Sequence, residues 1–257
     1  MMKQNRLLIV SNLMVLLTLI LSLNQNNLQE LEVSDPRQPL ASIQGITAYV
    51  ERGPIKIFNN SAFGDDGYDF NGTGTSNDPY LIDGYNITDS TSYLIHIENT
   101  TLYFRISNCY LNSKHSAVAH INLVNVTHGT IENNTNHNFS DNKGIALDES
   151  NRNIILNNTF DFGMYGIYFY QSSNNTVSGN TFNDCEYGYY TLESHNNSYV
   201  SNTFSNGERG IQLISSHNNT LVGNLINDSS HMAIYMDECS NNTLLGNTIY
   251  EINQEGI

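Results

Sequence analysis

The sequence predicts an all-β protein, a right-handed, single-stranded parallel β-helix (a solenoid) with three short strands in each coil of about 22 residues. One observation is a phrase of two asparagines followed by Thr or Ser, which begins at Asn174, Asn196, Asn218 and Asn241, at steps of 22, 22 and 23 residues. Self-similarity at such a period is typical of solenoids, in which each repeat buries its apolar side by stacking on its neighbours. A second observation is that the apolar segments are short and rich in Asn, Ser, Thr and Gly, which excludes helices.

Each repeat contains three predicted strands at fixed offsets from one asparagine. Around Asn180, Val177 belongs to the first strand, Phe182 to the second, and Gly188 with Tyr189 opens the third. The same offsets recur around five further asparagines, namely Asn134, Asn158, Asn202, Asn224 and Asn247. In the third strand, apolar residues alternate at period two, as a half-buried strand requires.

These reference asparagines are expected to stack as an internal ladder. An amide in a bend can satisfy backbone groups, and its equivalents in adjacent coils lie at the strand spacing of roughly 4.8 Å. Cys109 takes this position in an early coil, and the coil that follows is irregular, with Asn136 where the pattern predicts phenylalanine. The three cysteines fall at different repeat positions, which favours free thiols.

The repeat Asn-Asn-Thr-x-x-Gly-Asn-Thr-Phe, followed by Gly-Ile-x-Leu, resembles the coils of NosD-like proteins in the pectin-lyase-like superfamily of right-handed β-helices. Residues 72–85 and 103–110 similarly resemble segments of NosD-like and archaeal surface β-helix proteins. The resemblance covers about residues 54–257. It implies the fold, but it leaves the activity open, because such coils carry lyases, hydrolases, epimerases, copper-site maturation proteins and plain surface proteins.

The chain divides into three predicted parts. Residues 1–23 join a basic start, with Lys3 and Arg6, to an apolar stretch, which predicts a signal peptide or an N-terminal anchor. Residues 24–45 are polar and predict a linker, and residues 46–257 predict the β-helix, open or truncated in its last strand. We therefore expect a secreted or cell-surface protein that could stack on a partner through the open C-terminal end.

Composition excludes some partners. The formal net charge is −15, although charged residues make up only 14% of the chain, so basic patches are scarce. Nucleic acids and anionic membranes are bound through such patches, and neither is an expected partner. Asn-x-Ser/Thr sequons recur with the repeat, so a host that glycosylates exported proteins would place a row of glycans along one edge.

A column of large side chains in the third strand is the predicted ligand-binding surface. Tyr168, Tyr190, Gln212 and Tyr235 stand at equivalent positions in successive coils, with Tyr170 nearby, and should point outward. A row of aromatic rings suits polysaccharide, because the rings can stack on the apolar faces of sugars. The alternative is structural, because tyrosine favours strands and like residues in adjacent rungs stabilise one another.

Three residues at the turn after the third strand form a candidate metal site. His195 and His217 should be neighbours in adjacent coils, and Glu193 lies close by in sequence. Imidazole and carboxylate groups are ligands that zinc and copper accept, and the NosD-like resemblance implies a link to copper delivery. The alternative is a pair of solvated turn histidines, and the fold requires no cofactor.

Catalysis has weaker candidates. The resemblance to pectate lyases implies clustered acids that hold calcium beside a basic residue, and the nearest such group is Glu186, Glu208 and Arg209. The leading hypothesis is a non-catalytic, exported β-helix of the cell surface or envelope that binds a glycan or another envelope protein. The alternatives are a polysaccharide lyase or hydrolase, and a NosD-like accessory protein related to copper.

Overall fold

The computed structural model describes residues 49–252, apart from residues 66, 67, 69, 90–92, 114–117 and 228. The predicted signal or anchor, the predicted linker and the last residues of the open C-terminal end lie outside the described residues. The described part is an all-β parallel solenoid of about seven turns with about 23 residues per turn, which confirms the predicted fold class. No helix in this part of the chain has the length and apolar character needed to cross a bilayer.

The described residues form 22 strands and one short helix, α1 (Ala62–Asp65). In chain order the strands are β1 (Val50–Arg52), β2 (Ile55–Ile57), β3 (Tyr80–Asp83), β4 (Tyr85–Asp89), β5 (Ile95–Thr100), β6 (Phe104–Ser107), β7 (Tyr110–Ser113), β8 (Ala119–Val126), β9 (Gly129–Glu132), β10 (Thr135–Asp148), β11 (Ile154–Leu156), β12 (Thr159–Tyr170), β13 (Thr176–Ser178), β14 (Thr181–Leu192), β15 (Ser198–Val200), β16 (Thr203–Ser205), β17 (Arg209–Ile214), β18 (Thr220–Val222), β19 (Leu225–Asn227), β20 (Met232–Asp237), β21 (Thr243–Leu245) and β22 (Thr248–Tyr250).

Each coil contributes one strand segment to each of three faces. The first face is the sheet β3-β6-β9-β11-β13-β15-β18-β21. The second face contains β1, β4, β7, β16, β19 and β22, and the third contains β2, β5, β8, β17 and β20. The long strands β10, β12 and β14 serve both the second and the third face, and each contains one residue with positive φ between its two segments, namely Asn138, Phe162 and Asp184.

The asparagine ladder runs through the core as predicted. Asn202 accepts the backbone N–H of Asn180 at its Oδ1 (2.9 Å) and donates its own Nδ2 to the carbonyl of Val177 (3.0 Å). The same pattern extends from Asn134 to Asn247, and Cys109 stands at the start of the ladder, where its N–H donates to Oδ1 of Asn134. A second ladder, not predicted from the sequence, uses the second asparagine of the repeated phrase, in Asn153, Asn175, Asn197, Asn219 and Asn242.

Phenylalanine rings stack along the axis of the core. The rings of Phe160 and Phe182 lie 4.6 Å apart with an interplanar angle of 2°, and Phe204 continues the stack at 4.9 Å. These rings press against glycines in the preceding coil, since a Cβ on Gly188 would lie 2.2 Å from Phe204. The glycine that opens the third strand is therefore required by close packing.

Candidate ligand groove on the third strand face

Four tyrosines form one cluster on the outer side of the third face. Tyr168 stacks on Tyr190 with ring centroids 5.3 Å apart at 5°, and Tyr165 stacks on Tyr187 at 5.1 Å and 22°. The two stacks meet edge to face, with Tyr165 and Tyr190 at 5.3 Å and 76°. Strand register creates this cluster, because equivalent positions of β12 and β14 lie side by side. The ring faces of this tyrosine cluster are therefore turned largely toward one another.

Cationic side chains close the cluster at both ends. Nζ of Lys143 lies 4.4 Å from the ring centre of Tyr168. The guanidinium of Arg209 lies 5.6 Å from the ring of Tyr187 and 5.3 Å from that of Tyr235, at distances where a cation is attracted to an aromatic face. Arg209 also donates from Nη1 to Oε1 of Gln212 at 2.8 Å, and Gln212 is only 5% exposed rather than outward-facing as expected.

A groove of about 280 Å³ opens beside the tyrosine cluster, at the end that Lys143 covers. It exists because Ala146 stands between Asn122 and Tyr168 in a column that carries larger side chains elsewhere. The lining residues are Tyr93, Val118, Asn122, Val124, Lys143, Ala146, Leu147, Asp148, Tyr168 and Tyr170. The groove thus combines aromatic rings with one cation, one carboxylate and one amide.

Burial shifts the pKa of two groove residues. It lowers the pKa of Lys143 from its ordinary value, and the charge of Asp148 opposes that shift. Burial also raises the pKa of Tyr168, and neighbouring Tyr190 and Asp148 add to the increase. The phenol of Tyr168 therefore stays protonated at neutral pH and can act as a hydrogen-bond donor.

The structure distributes the predicted ligand-binding residues among three environments. Tyr168 and Tyr170 line the groove, and Tyr190 belongs to the tyrosine cluster. Tyr235 contacts Arg209, whereas Gln212 is buried. The sequence reading missed Tyr165, Tyr187, Lys143, Ala146 and Asp148. Tyr165 and Tyr187 could have been found from the sequence, because they form a second column three residues before Tyr168 and Tyr190.

The three catalytic candidates lie near one another but do not form a lyase-like group. Burial raises the pKa of Glu186, and the charge and side-chain hydrogen bond of Glu208 add to the increase. Arg209 points instead toward Tyr187 and Gln212. A lyase would need a basic group beside the acids, but Arg209 is directed into the tyrosine cluster instead.

The two histidines of the candidate metal site belong to a hydrogen-bonded ladder at the turn. The backbone N–H of Ser173 donates to Oδ1 of Asn151 at 2.7 Å, and that of His195 donates to Oγ of Ser173 at 2.9 Å. The N–H of His217 then donates to Nδ1 of His195 at 3.0 Å, and that of Ser240 donates to Nδ1 of His217 at 3.1 Å. The imidazoles take the role that a serine or asparagine side chain plays in the earlier coils.

This ladder fixes the tautomer of both rings. Because Nδ1 accepts a hydrogen bond, each neutral ring carries its proton on Nε2 and presents no free lone pair to a metal. The rings are neighbours, as predicted, with centroids 5.0 Å apart at 8°. Glu193, the third candidate, instead accepts a hydrogen bond from Nε2 of Gln171 at 2.8 Å.

Residues 77–257 match the family described as "Periplasmic copper-binding protein (NosD)". The chain belongs to the NosD family. No curated protein matches the chain. The family description names copper and the periplasm.

Solved structures with a similar course of the chain include a surface adhesin, an epimerase and a lyase. PfbA, a surface adhesin of Streptococcus pneumoniae, is 13% identical, with 81% of this chain and 71% of that chain covered and a TM-score of 0.43. A mutant of the periplasmic alginate epimerase AlgG is 15% identical (68% and 48% covered, TM-score 0.41). An alginate lyase from Paenibacillus sp. str. FPU-7 is 13% identical (78% and 99% covered, TM-score 0.40). Identities this low leave the substrate and activity of the NosD-family chain open.

The described residues do not fit a copper centre. No three His, Cys, Asp or Glu side chains within them come together as a metal-binding group. The most suggestive pair, His195 and His217, has its Nδ1 atoms engaged in the turn ladder. Burial raises the thiol pKa of Cys109 to about 11 and also raises that of Cys185, so neither offers a ready thiolate.

Proposed function

We propose that this NosD-family chain is an exported, non-catalytic β-helix of the cell surface or envelope that binds a glycan in the groove. The observation that carries the proposal is the lining of the groove, where Tyr93, Tyr168 and Tyr170 surround a small-residue floor at Ala146. Aromatic side chains with a few convergent polar groups are typical of sites for polar ligands such as sugars.

The groove suits a glycan better than the exposed side of the tyrosine cluster does. In the tyrosine cluster, the faces of Tyr168 and Tyr190 are covered by each other and by Lys143, so Tyr168 offers a sugar its hydroxyl, and the other aromatic side chains of the groove are Tyr93 and Tyr170. In the groove, hydroxyl groups of a sugar can meet Asn122, Lys143 and Asp148. A volume of about 280 Å³ lies just below the usual range for ligand sites, which favours a short stretch of a glycan chain.

The decisive experiment uses a variant in which a larger side chain fills the groove. The full chain is screened on a glycan array, and retained glycans are tested against an Ala146→Tyr variant. A tyrosine at position 146 would continue the column of Tyr168 and Tyr190 and occupy the groove, while the core beneath stays unchanged. We expect loss of glycan binding with a thermal midpoint close to that of the unaltered protein.

A matched control separates the groove from the rest of the face. Tyr187→Phe removes one hydroxyl from the tyrosine cluster outside the groove and keeps the ring stack. It should bind glycan as the unaltered protein does. Equal affinity of the Ala146→Tyr variant would refute binding in the groove, and a silent array would favour an envelope protein as the partner.

A carbohydrate-active enzyme that uses the same groove is the second candidate. The carboxylate of Asp148 can accept a proton, the protonated phenol of Tyr168 can donate one, and Lys143 is a cationic group in the same groove. The full chain is incubated with a panel of polysaccharides, with and without calcium, and followed by new reducing ends and unsaturated uronate absorbance. Turnover that Lys143→Ala abolishes would replace the binding proposal with catalysis.

A further inference from the structure

His96 lies on β5 beside the groove and contacts two of the residues that line it. Its ring stacks on Tyr93 with centroids 4.8 Å apart at 19°, and its Nδ1 lies 3.0 Å from Nδ2 of Asn122. Its Nε2 lies 3.2 Å from Oε2 of Glu98, and Phe58 packs at 5.8 Å. With 8% of its surface exposed, His96 is held on several sides.

These contacts determine the tautomer of the ring. An ionised carboxylate only accepts hydrogen bonds, so Glu98 requires a proton on Nε2 of His96. In the neutral ring Nδ1 is then an acceptor, and Asn122 must present its NH₂ group to it. The carbonyl Oδ1 of Asn122 is left for other partners. Protonating His96 puts a hydrogen on Nδ1 and turns that atom into a donor, so the amide must rotate to offer Oδ1 instead.

We propose that Glu98 and His96 set the hydrogen-bonding polarity of Asn122 in the groove, and that protonation of His96 reverses it. With a neutral His96, Asn122 has its carbonyl available to accept from a sugar hydroxyl. With a protonated His96, Asn122 has its NH₂ available to donate to a sugar oxygen. This assigns His96 and Glu98 as positioning residues of the site and rests, for the sugar, on the proposed function.

Other charged groups lie near His96, and their direct effect on a ligand must be distinguished from the proposed effect on Asn122. Lys56 on β2 is the register partner of His96 in the preceding coil. Lys143 and Asp148 on β10 line the same groove. Their charges act on a ligand directly, whereas the proposed relay from Glu98 through His96 to Asn122 acts through the orientation of the Asn122 amide. A measurement on the amide itself therefore distinguishes the relay from general charge effects.

The first test needs no ligand. Nitrogen-15 NMR of the full chain, with the His96 signals assigned by a His96→Gln variant, reports the tautomer and the Asn122 side-chain amide across a pH titration. We expect the Nε2–H tautomer in the neutral ring and a shift of the Asn122 amide signals that follows the protonation of His96. An Nδ1–H tautomer, or an amide unaffected when His96 protonates, would overturn the proposal.

A variant of Glu98 tests the direction of control. In Glu98→Gln, the amide can donate as well as accept, so the Nε2–H tautomer loses its enforced advantage. We expect a mixture of tautomers in the neutral ring, and a variant that keeps the single Nε2–H form would contradict the relay. Glu132→Gln is the control, because Glu132 lies on the first face and pairs with Arg105 at 3.3 Å; it should leave His96 unchanged.

A binding measurement then connects the relay to the groove. For any glycan retained by the array, Glu98→Gln should weaken affinity about tenfold, as expected when one hydrogen bond is lost. Glu132→Gln should leave that affinity unchanged. Full affinity in Glu98→Gln would remove the relay from recognition. A chain that binds no glycan would refute the proposed function alone, since the tautomer experiment still decides the relay.

Discussion

His120 and Asn136 are two fully buried polar residues at a place where the later coils join a glycine to an aromatic ring. In register, His120 corresponds to Gly144, and Asn136 corresponds to Phe160. A Cβ on Gly144 would lie 2.5 Å from Phe160, so glycine and phenylalanine depend on each other there. In the earlier coil the imidazole takes that space, and its Nε2 lies 3.0 Å from Oγ of Ser113.

The pair should behave as one energetic unit. Asn136→Phe alone is expected to overpack the core against His120 and to cost about 1–3 kcal/mol. His120→Gly alone leaves a cavity and removes the neighbour of Asn136. The double variant recreates the glycine and phenylalanine of the next coil, so it should be more stable than the two single effects predict.

Urea unfolding of the four proteins measures this coupling. We expect a favourable coupling free energy of at least about 1 kcal/mol, within the range found for contacting residues. Single effects that add to within about 0.5 kcal/mol would show that the two positions are independent.

The same histidine predicts a dependence of stability on pH. Burial lowers the pKa of His120 to about 3, an effect opposed by Asn136 and increased slightly by His137. An unfolded histidine has a pKa of about 6.5, so between these values the unfolded chain binds a proton that the folded chain excludes. The contribution is therefore complete above about pH 6.5 and is lost as pH falls toward 3, by at most about 1.4 kcal/mol per pH unit.

Comparison with His120→Gln isolates this contribution from that of the carboxylates. The free energy of unfolding is measured at about pH 7 and about pH 4.5 in both proteins. The drop should be smaller in the variant, because glutamine takes up no proton. An identical drop would mean that His120 is protonated in the folded state.

The turn ladder predicts that His195 can be exchanged for serine but not for alanine. His195→Ala leaves the N–H of His217 without its acceptor and should lower stability by about 1 kcal/mol. His195→Ser restores an acceptor of the kind that Ser173 supplies in the preceding coil. Thermal unfolding compares the two, and equal loss in both would assign the effect to the imidazole stack instead.

Copper titration tests the same histidines as metal ligands. Because the turn ladder engages Nδ1 of His195 and His217, the doubly substituted His195→Ser, His217→Ser protein should take up as much copper as the unaltered chain. Metal content after dialysis is the measurement. A stoichiometric loss of copper in the variant would show that the rings leave the turn ladder to bind it.

Gly188 should tolerate no side chain. A Cβ there would lie 2.2 Å from Phe204, so Gly188→Ala must displace the ring stack, and we expect a cost of about 1–3 kcal/mol. Gly53→Ala is the control, since nothing lies within 4 Å of its Cβ position. Denaturant midpoints of the two variants should differ clearly, and similar midpoints would contradict the close packing.

The repeat determined which residues become neighbours. A period of 22 or 23 residues assigns each side chain to a column, and in a parallel solenoid the members of a column lie in adjacent coils. For this reason the sequence alone predicted the asparagine ladder, the place of Cys109, and the contact between His195 and His217. It also predicted Tyr168 beside Tyr190.

Only the tertiary structure decided what these neighbours do. A column position does not set the rotamer, so the sequence could not show that the tyrosine faces stack on one another or that the histidines accept backbone hydrogen bonds through Nδ1. The groove was hidden for a further reason. It arises where small Ala146 lies among larger neighbours and Tyr93 approaches from a coil about 50 residues earlier, and this depends on packing between coils rather than on the repeat itself.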